Sequence, residues 1–255
     1  MRSLLVYDGT FEGFLSTVFH CYEYKITECS IQKQKKIELG FFEKPVHILT
    51  DPVNAERVWE GLQKKAPKFY SSIFKAFLSE EDSIEDQLLY LIQRIFRGDD
   101  RPEKDHSDER ILHIAQVIKK VHREKHRMEA FVRFRLTKDG IYMATVSPDF
   151  DVLPLINRHF KHRYADQRWL IYDVKRNYGI YYDLSKVETI VLEEMPPIQN
   201  NVDDHLIFTP EELHFETLWK NYFRSTNIAS RKNLKLHLQH VPKRYWRYLS
   251  EKQPM

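Results

Sequence analysis

The sequence predicts an α+β fold in which an antiparallel sheet of about five strands packs with N-terminal and C-terminal helices. Within the sheet, two β-hairpins flank a helix. The segment 127–192 holds two pairs of apolar, aromatic and β-branched runs, and turn residues separate the members of each pair. A stretch with apolar residues at helical spacing lies between the pairs, and longer amphipathic stretches lie on both sides of the segment.

The N-terminal part, 1–126, is predicted to be mainly helical with short strands. Apolar runs predict strands at Ser3–Tyr7 and Pro45–Leu49, and the polar stretch Glu23–Gly40 is expected to be a loop with a short extended piece. Thr10 is a typical N-cap residue, and Pro52 suits the first position of a helix. Apolar spacing predicts helical segments at Phe11–Tyr22, Pro52–Lys65, Lys68–Arg97 and Ser107–His126, with a charged loop at Gly98–His106.

The central part, 127–192, is expected to form the sheet. Lys138, Asp139 and Gly140 supply the turn of the first hairpin, because glycine tolerates a positive φ. Ser147 or Asp149 is expected to cap the helix that follows, in which Leu153, Ile156 and Phe160 share one face. The predicted strands are Met128–Leu136, Ile141–Val146, Gln167–Val174, Gly179–Leu184 and Val187–Leu192.

The C-terminal part, 205–255, is expected to consist of basic helices joined to the sheet by a surface connector at Glu193–Asp204. Pro210 is expected to start one helix, and a second helical segment should run from about Ser230 to His240. Pro242 should interrupt this segment before Tyr245–Leu249. All three parts are expected to form one compact unit.

Composition excludes several classes of protein. The 255 residues carry a net charge of only +3 and contain two cysteines, Cys21 and Cys29, too few for a disulfide framework and at a spacing that is not a metal pattern. The chain lacks a membrane-length apolar run, a phosphate-binding loop and a dinucleotide fingerprint. We therefore expect a cytoplasmic protein without a metal or cofactor. His122 and His126 are four residues apart, but two ligands do not make a metal site, and a solvated helix face is the preferred interpretation.

Candidate catalytic residues are few. Asp149 and Asp151 lie at a predicted helix start, near His159 in sequence, and Asp173 lies at a strand end. A carboxylate pair could bind a metal or act as a base, but helix capping is the commoner role at such positions. We prefer capping and keep these four residues as candidates for an enzyme.

A mixture of basic and aromatic residues is more distinctive. Aromatic rings stack on bases, and guanidinium groups bind phosphates, so this mixture is typical of nucleic-acid binding. Between Thr217 and Ser250 there is no Asp or Glu, which favours a polyanionic partner. The alternative is that the rings fill the core and the cations form a solvated face. The predicted nucleic-acid contacts are Arg127, Arg133, Arg163, Arg168, Trp169, Tyr178, Arg231, Lys235 and Arg244.

Four blocks of the sequence resemble one bacterial family. They are YDGTFEGFLSTVFHCY (Tyr7–Tyr22), RMEAFVRF (Arg127–Phe134), the segment Pro148–Asp183, and RKNLKLHLQHVPKRYWRYL (Arg231–Leu249). The family comprises DNA metabolism proteins that carry the domain of unknown function 4130. The resemblance implies a genomic association with a radical S-adenosylmethionine (SAM) protein of DNA repair or modification.

Some members of that family are fused to a domain similar to uracil-DNA glycosylase. The present chain is expected to lack that extra domain, so glycosylase chemistry is not transferred to it. No catalytic residue is carried over from the family.

Three hypotheses follow. The first is a DNA-binding accessory protein of DNA repair or modification that works with a radical SAM enzyme. The second is a DNA-processing enzyme that uses the carboxylate and histidine candidates for base or phosphodiester chemistry. The third is a protein-interaction scaffold without DNA affinity, whose basic block meets an acidic partner.

Overall fold

The computed structural model describes residues 3–36, 45–192, 207–225 and 238–252. The chain divides into two compact units, Met1–His122 and Arg123–Met255. Both units combine helices with strands, which confirms the α+β prediction. None of the helices in the described ranges has both the length and the apolar character needed to cross a membrane.

The first unit contains a three-stranded parallel sheet. Strand β1 (Ser3–Tyr7) lies between β2 (Cys29–Lys33) and β3 (Pro45–His47). Helix α1 (Phe11–Glu23) connects β1 to β2, and such a crossover is what parallel pairing requires. Residues 4–7 of β1 are buried, as is typical of a central parallel strand.

Four more α-helices begin in the described part of the first unit. The hydroxyl of Thr10 accepts a hydrogen bond from the backbone N–H of Gly13, and Asp51 caps the next helix through Val53. The Thr10 cap and a helix start at Pro52 are therefore confirmed. These helices are α2 (Pro52–Lys65), α3 (Tyr70–Phe77), α4 (Ile84–Arg97) and α5 (Glu109–Phe131), and α5 ends in the second unit.

The helical stretch predicted for Lys68–Arg97 is divided. It ends at Phe77 and resumes at Ile84. Glu80 and Ser83, between the two helices, have φ values of 54° and 62°. Left-handed backbone of this kind cannot continue a right-handed helix, so the continuous apolar spacing hides a break.

The second unit contains a five-stranded sheet in the order β4-β5-β6-β7-β8. Helix α6 (Leu153–Arg163) connects β5 to β6, and helix α7 (Pro210–Ser225) and the 3-10 helices Lys243–Tyr248 and Ser250–Lys252 follow the sheet. The strands are β4 (Arg135–Leu136), β5 (Tyr142–Val146), β6 (Trp169–Asp173), β7 (Tyr178–Tyr182) and β8 (Val187–Ile190). Residues 207–209 add to the β4 edge, because Lys138 N–H donates to the Ile207 carbonyl at 3.0 Å.

The prediction of a purely antiparallel sheet is wrong. Pairs β4–β5, β6–β7 and β7–β8 are antiparallel, but β5 and β6 are parallel. The reason is helix α6, which returns the chain to the starting end of β5 before β6 begins. The two hairpins, β4–β5 and β6–β7, are present, and each contributes one strand to this parallel pair.

The predicted strand Met128–Leu136 is also wrong over most of its length. Helix α5 continues to Phe131, beyond the predicted end at His126, and only Arg135 and Leu136 are in a strand. Helix α5 also starts later than predicted, at Glu109, and Asp108 rather than Ser107 accepts the free N–H of Arg110.

The remaining predictions have mixed outcomes. Gly140 has φ +72°, as the predicted turn requires. Helix α6 begins after Val152 without a side-chain cap, so the predicted caps Ser147 and Asp149 are wrong. A helix starts at Pro210, as predicted. The predicted connector Glu193–Asp204 lies outside the described residues, as does most of the predicted helix Ser230–His240.

Candidate nucleic-acid interface

The parallel strands β5 and β6 end side by side, with Val146 paired to Asp173. Groups that bind ligands in α/β proteins gather at the carboxyl ends of parallel strands. Charged and phenolic side chains meet at this edge, and we call them the carboxyl-edge network. Its members are Glu124, Asp149, Asp151, Asp173, Lys175, Arg176, Tyr178, Arg244 and Tyr245.

Glu124 is the buried centre of the network, and its side chain is 1% exposed. Its Oε1 accepts the backbone N–H of Asp149 at 2.9 Å, and its Oε2 accepts the Tyr245 hydroxyl at 2.5 Å and Arg244 Nη2 at 2.9 Å. Arg127 Nη1 lies 3.7 Å from Oε2. A buried carboxylate is tolerated when donors and positive charges surround it, and these contacts provide both.

Asp173 is completely buried at the end of β6. Its Oδ2 lies 2.7 Å from Nη1 of Arg176, and its Oδ1 accepts the backbone N–H of Lys175 at 2.8 Å. Arg176 Nη2 and Lys175 Nζ both donate to the carbonyl of Asp149, at 3.1 and 2.9 Å. The turn after β6 thereby holds the loop after β5.

Two tyrosines of the network remain protonated donors. Burial, followed by the charge of Asp151, raises the pKa of Tyr178, whose hydroxyl donates to Asp151 Oδ1. Burial and the hydrogen bond to Glu124 raise the pKa of Tyr245. Both phenols are therefore neutral at physiological pH and donate hydrogen bonds to Asp151 and Glu124.

Three of the four catalytic candidates, Asp149, Asp151 and Asp173, lie at the carboxyl edge. His159 lies on α6, with Nδ1 3.8 Å from Oε1 of Glu129. The three carboxylates are already engaged, because Asp173 pairs with Arg176, Asp151 accepts from Tyr178, and Asp149 Oδ2 lies 2.8 Å from Arg244. This arrangement organises the loops, and Asp149, with 48% of its side chain exposed, is the most exposed of the three carboxylates.

Several predicted phosphate contacts pair with carboxylates. Arg133 Nη2 lies 3.0 Å from Glu251 Oε1, and Arg127 approaches Glu124. Arg244 contacts both Glu124 and Asp149. Burial is the largest single effect on Arg244 and alone would lower its pKa, but Glu124, Tyr245 and Asp149 together outweigh burial, so the net shift is upward.

Three other basic residues of the second unit are exposed and have no carboxylate partner among the described residues. Within the described residues, Arg163 contacts the Tyr164 side chain, with its Nε 3.4 Å from the hydroxyl and its Cζ 5.7 Å from the ring centroid. Arg168 and Arg158 are exposed, and neither forms an ion pair with any residue in the described ranges. We call Arg158, Arg163 and Arg168 the open arginines. All three lie on α6 or in the loop that leads from it to β6.

The predicted aromatic contacts serve the fold in this structure. Trp169 is completely buried, within 6.3 Å of the Phe134, Phe160 and Tyr182 rings by centroid distance. Tyr178 is half-buried and bound to Asp151. Arg231 and Lys235 lie outside the described residues.

The charge is unequal between the two units. The second unit has 22 Lys and Arg against 17 Asp and Glu, an excess of +5, and the first has 18 against 20, an excess of −2. Arg158, Lys175 and Arg176 are not among the site residues predicted from the sequence. Exposure identifies the first of these, and the parallel pairing of β5 with β6 identifies the other two.

No group of three or more metal-ligating side chains occurs among the residues for which coordinates are described. His122 and His126 are exposed on α5, and the side chain of His126 is 81% exposed. The interpretation of a solvated helix face therefore agrees with their positions.

One family model matches the chain. It describes a domain of unknown function, DUF4130, and covers residues 82–251. No curated protein and no solved structure matches the sequence.

Proposed function

The chain belongs to the DUF4130 family, whose description names no activity, and we propose that it is a DNA-binding accessory protein. The second unit binds the phosphate backbone. The open arginines carry this proposal, since each is exposed, cationic and without a carboxylate partner in the described structure.

Arginine suits this role because its guanidinium group presents several N–H donors to phosphate oxygens and is always charged. A cation already paired with a buried carboxylate would have to give up that partner, so Arg127 and Arg244 contribute less than the open arginines. The excess of +5 in the second unit adds a long-range attraction for a polyanion.

The carboxyl-edge network has a supporting part in this proposal. Lys175 and Arg176 hold the loop after β5 through the carbonyl of Asp149. A fixed backbone favours phosphate binding, because loops and side chains that are already ordered lose less conformational entropy when the ligand binds. The enzyme hypothesis is less favoured, since hydrogen bonds and ion pairs already engage Asp149, Asp151 and Asp173.

The accessory part of the proposal rests on the family resemblance, which implies a radical SAM enzyme of DNA repair or modification as partner. Affinity capture of the full chain from a lysate, with and without nuclease, tests it. We expect a radical SAM protein in both samples. Its loss after nuclease treatment would mean that DNA alone bridges the two proteins, and its absence from both would reject the partnership.

The test of DNA binding is a salt titration of the full chain with labelled duplex and single-stranded DNA, followed by fluorescence anisotropy. Each phosphate contact lowers the slope of log K against log salt by about 0.9 for duplex DNA. Three arginine contacts therefore predict a slope of about −2.7 or steeper. No binding at low salt, or binding that salt does not weaken, would reject the proposal and favour the scaffold hypothesis.

A further inference from the structure

Two thiols meet inside the first unit. Cys21 lies near the end of α1, and Cys29 is the first residue of β2. Their Sγ atoms are 3.7 Å apart, and the residues are only 3% and 8% exposed. They are the only two cysteines in the sequence.

The two residues come from different elements joined by a short connection. Residues 22–28 lie between them, and the backbone N–H of Ile26 donates a hydrogen bond to the Cys21 carbonyl at 2.9 Å. Cys29 pairs with Ser3 in the parallel sheet. The packing of α1 against the sheet therefore holds the two sulfur atoms next to each other in the folded protein.

We propose that Cys21 and Cys29 form a reversible intramolecular disulfide when the protein meets a small hydroperoxide, and that the pair is a redox modification site of the first unit. This inference is independent of DNA binding, which we place in the second unit. Close thiol pairs that oxidise reversibly are a known type of redox sensor in reducing compartments.

The order of reaction follows from the exposure of the two residues and from the raised pKa of Cys21. The hydrogen bond with Cys29, together with burial, raises the pKa of Cys21, so Cys21 is a poor first nucleophile. Cys29 is the more exposed of the two residues, at 8% against 3%, so we assign the first attack on the peroxide to its sulfur.

The chemistry balances in two steps. The Cys29 thiolate attacks one peroxide oxygen, the O–O bond breaks, and hydroxide leaves to give a sulfenic acid on Cys29. The Cys21 sulfur then attacks the Cys29 sulfur, the S–O bond breaks, and water leaves. In total two thiols lose two electrons and two protons, and one peroxide becomes two waters.

Oxidation would act on a polar cleft. Residues 30 and 31, directly after Cys29, bind Asp86, through the Ser30 hydroxyl at 3.2 Å and the Ile31 N–H at 2.7 Å. These three residues line a cleft of about 590 Å³ together with Lys33, Glu81 and others. A disulfide would draw Cys29 towards α1, and we therefore expect it to displace β2, which forms one wall of the cleft.

The experiment uses the full chain, reduced and freed of reductant, and then exposed to hydrogen peroxide. Free thiols are alkylated in denaturant, and intact mass and peptide maps are recorded. We expect a species that carries no alkyl group and is lighter by about 2 Da than the reduced, unalkylated chain, with Cys21 and Cys29 peptides linked and dithiothreitol reversing the change.

Cys21→Ser and Cys29→Ser are the matched variants. The first should stop at sulfenic or higher oxides of Cys29, and the second should retain an alkylatable Cys21 longer than the wild type does. Wild type is the decisive sample if either variant unfolds. Two alkylatable thiols after peroxide, sulfinic acid without a linked peptide, or links only between chains would overturn the proposal.

Discussion

The hydroxyl of Tyr245 donates to Oε2 of Glu124 at 2.5 Å, and both residues are buried at 1% exposure. This contact ties the C-terminal 3-10 helix to the last turns of α5, although 121 positions separate the two residues in sequence. Glu124 also receives the backbone N–H of Asp149. One carboxylate therefore joins three separate segments of the second unit.

Glu124→Gln should lower the free energy of unfolding by about 2–4 kcal/mol, because it leaves Arg244 and Arg127 without their buried negative partner. Urea unfolding followed by circular dichroism measures the change. Tyr245→Phe is the matched control, since it removes one donor and no charge, and it should cost about 1–2 kcal/mol. Equal stability of Glu124→Gln and the wild type would mean that the network is not energetically important.

Glu124 also explains why the predicted end of α5, at His126, lies before the observed end at Phe131. The buried positions Ile111, Ile114, Val117 and Val121 continue at helical spacing to Glu124 and Met128. A glutamate at a core position looks like the end of an apolar stripe, and the aromatic run after Arg127 then favours a strand. Only the tertiary partners of Glu124 show that the helix continues.

Strand β6 carried a signal that the sequence analysis did not use. All five of its residues are buried, and Trp169–Tyr172 form a continuous apolar run rather than an alternating one. Such runs are typical of central strands with a parallel neighbour. The hairpins themselves were predictable because Gly140 and the turn before Gly179 are local features, whereas the direction of β6 depends on the path of α6.

The basic residues of the C-terminal part were harder to interpret. The stretch Thr217–Ser250 has no acidic residue, but Arg244 meets Glu124 and Asp149 from distant parts of the chain. Local charge counts cannot detect such pairing. Arg163 and Arg168 were selected by composition and are exposed in the structure, but nothing in the sequence separates them from the paired arginines.

Gly13→Ala should destabilise the first unit by about 1–3 kcal/mol through overpacking. A Cβ atom at this position would lie 2.2 Å from Oδ1 of Asp8 and 2.9 Å from Oγ1 of Thr50. Asp8 cannot move freely, because it accepts hydrogen bonds from Thr10 N–H and the Thr50 hydroxyl. Thermal unfolding of the single variant measures the cost.

The matched test of that clash is a double-mutant cycle with Asp8→Ala. Removing the carboxylate opens the space that the new methyl group needs, so Gly13→Ala should cost less in the Asp8→Ala background. Additive effects of the two substitutions would show that Asp8 is not the group that excludes a side chain at position 13.

Asp108 should give the first unit a contribution to acid stability. The hydrogen bond from the Tyr90 hydroxyl, at 2.6 Å, is the main cause that lowers the pKa of Asp108 to about 2. The folded state therefore binds this proton more weakly than the unfolded state. The stabilising contribution is complete above the ordinary pKa of about 4 and is lost as the pH falls through about 2.

The measurement is the urea midpoint of wild type and Asp108→Asn between neutral and strongly acidic pH. The difference between the two proteins should shrink as the pH falls through that window. Tyr90→Phe removes the main donor, so the pKa of Asp108, followed by carboxyl NMR, should rise. An unchanged pKa in Tyr90→Phe would assign the shift to Arg110 instead.

Replacing all three open arginines, Arg158, Arg163 and Arg168, by Gln should weaken DNA binding and reduce the magnitude of the salt slope by about 2.7, at 0.9 per lost phosphate contact on duplex DNA. The fold should survive, because all three side chains are exposed and unpaired with carboxylates in the described structure.

The matched control replaces three exposed cations of the first unit, Lys64, Lys68 and Arg101, by Gln. It removes the same total charge but should leave the slope nearly unchanged, since we place the phosphate contacts in the second unit. Equal loss in both triple variants would show that binding follows net charge alone, and no loss in either would place the DNA contacts elsewhere on the chain.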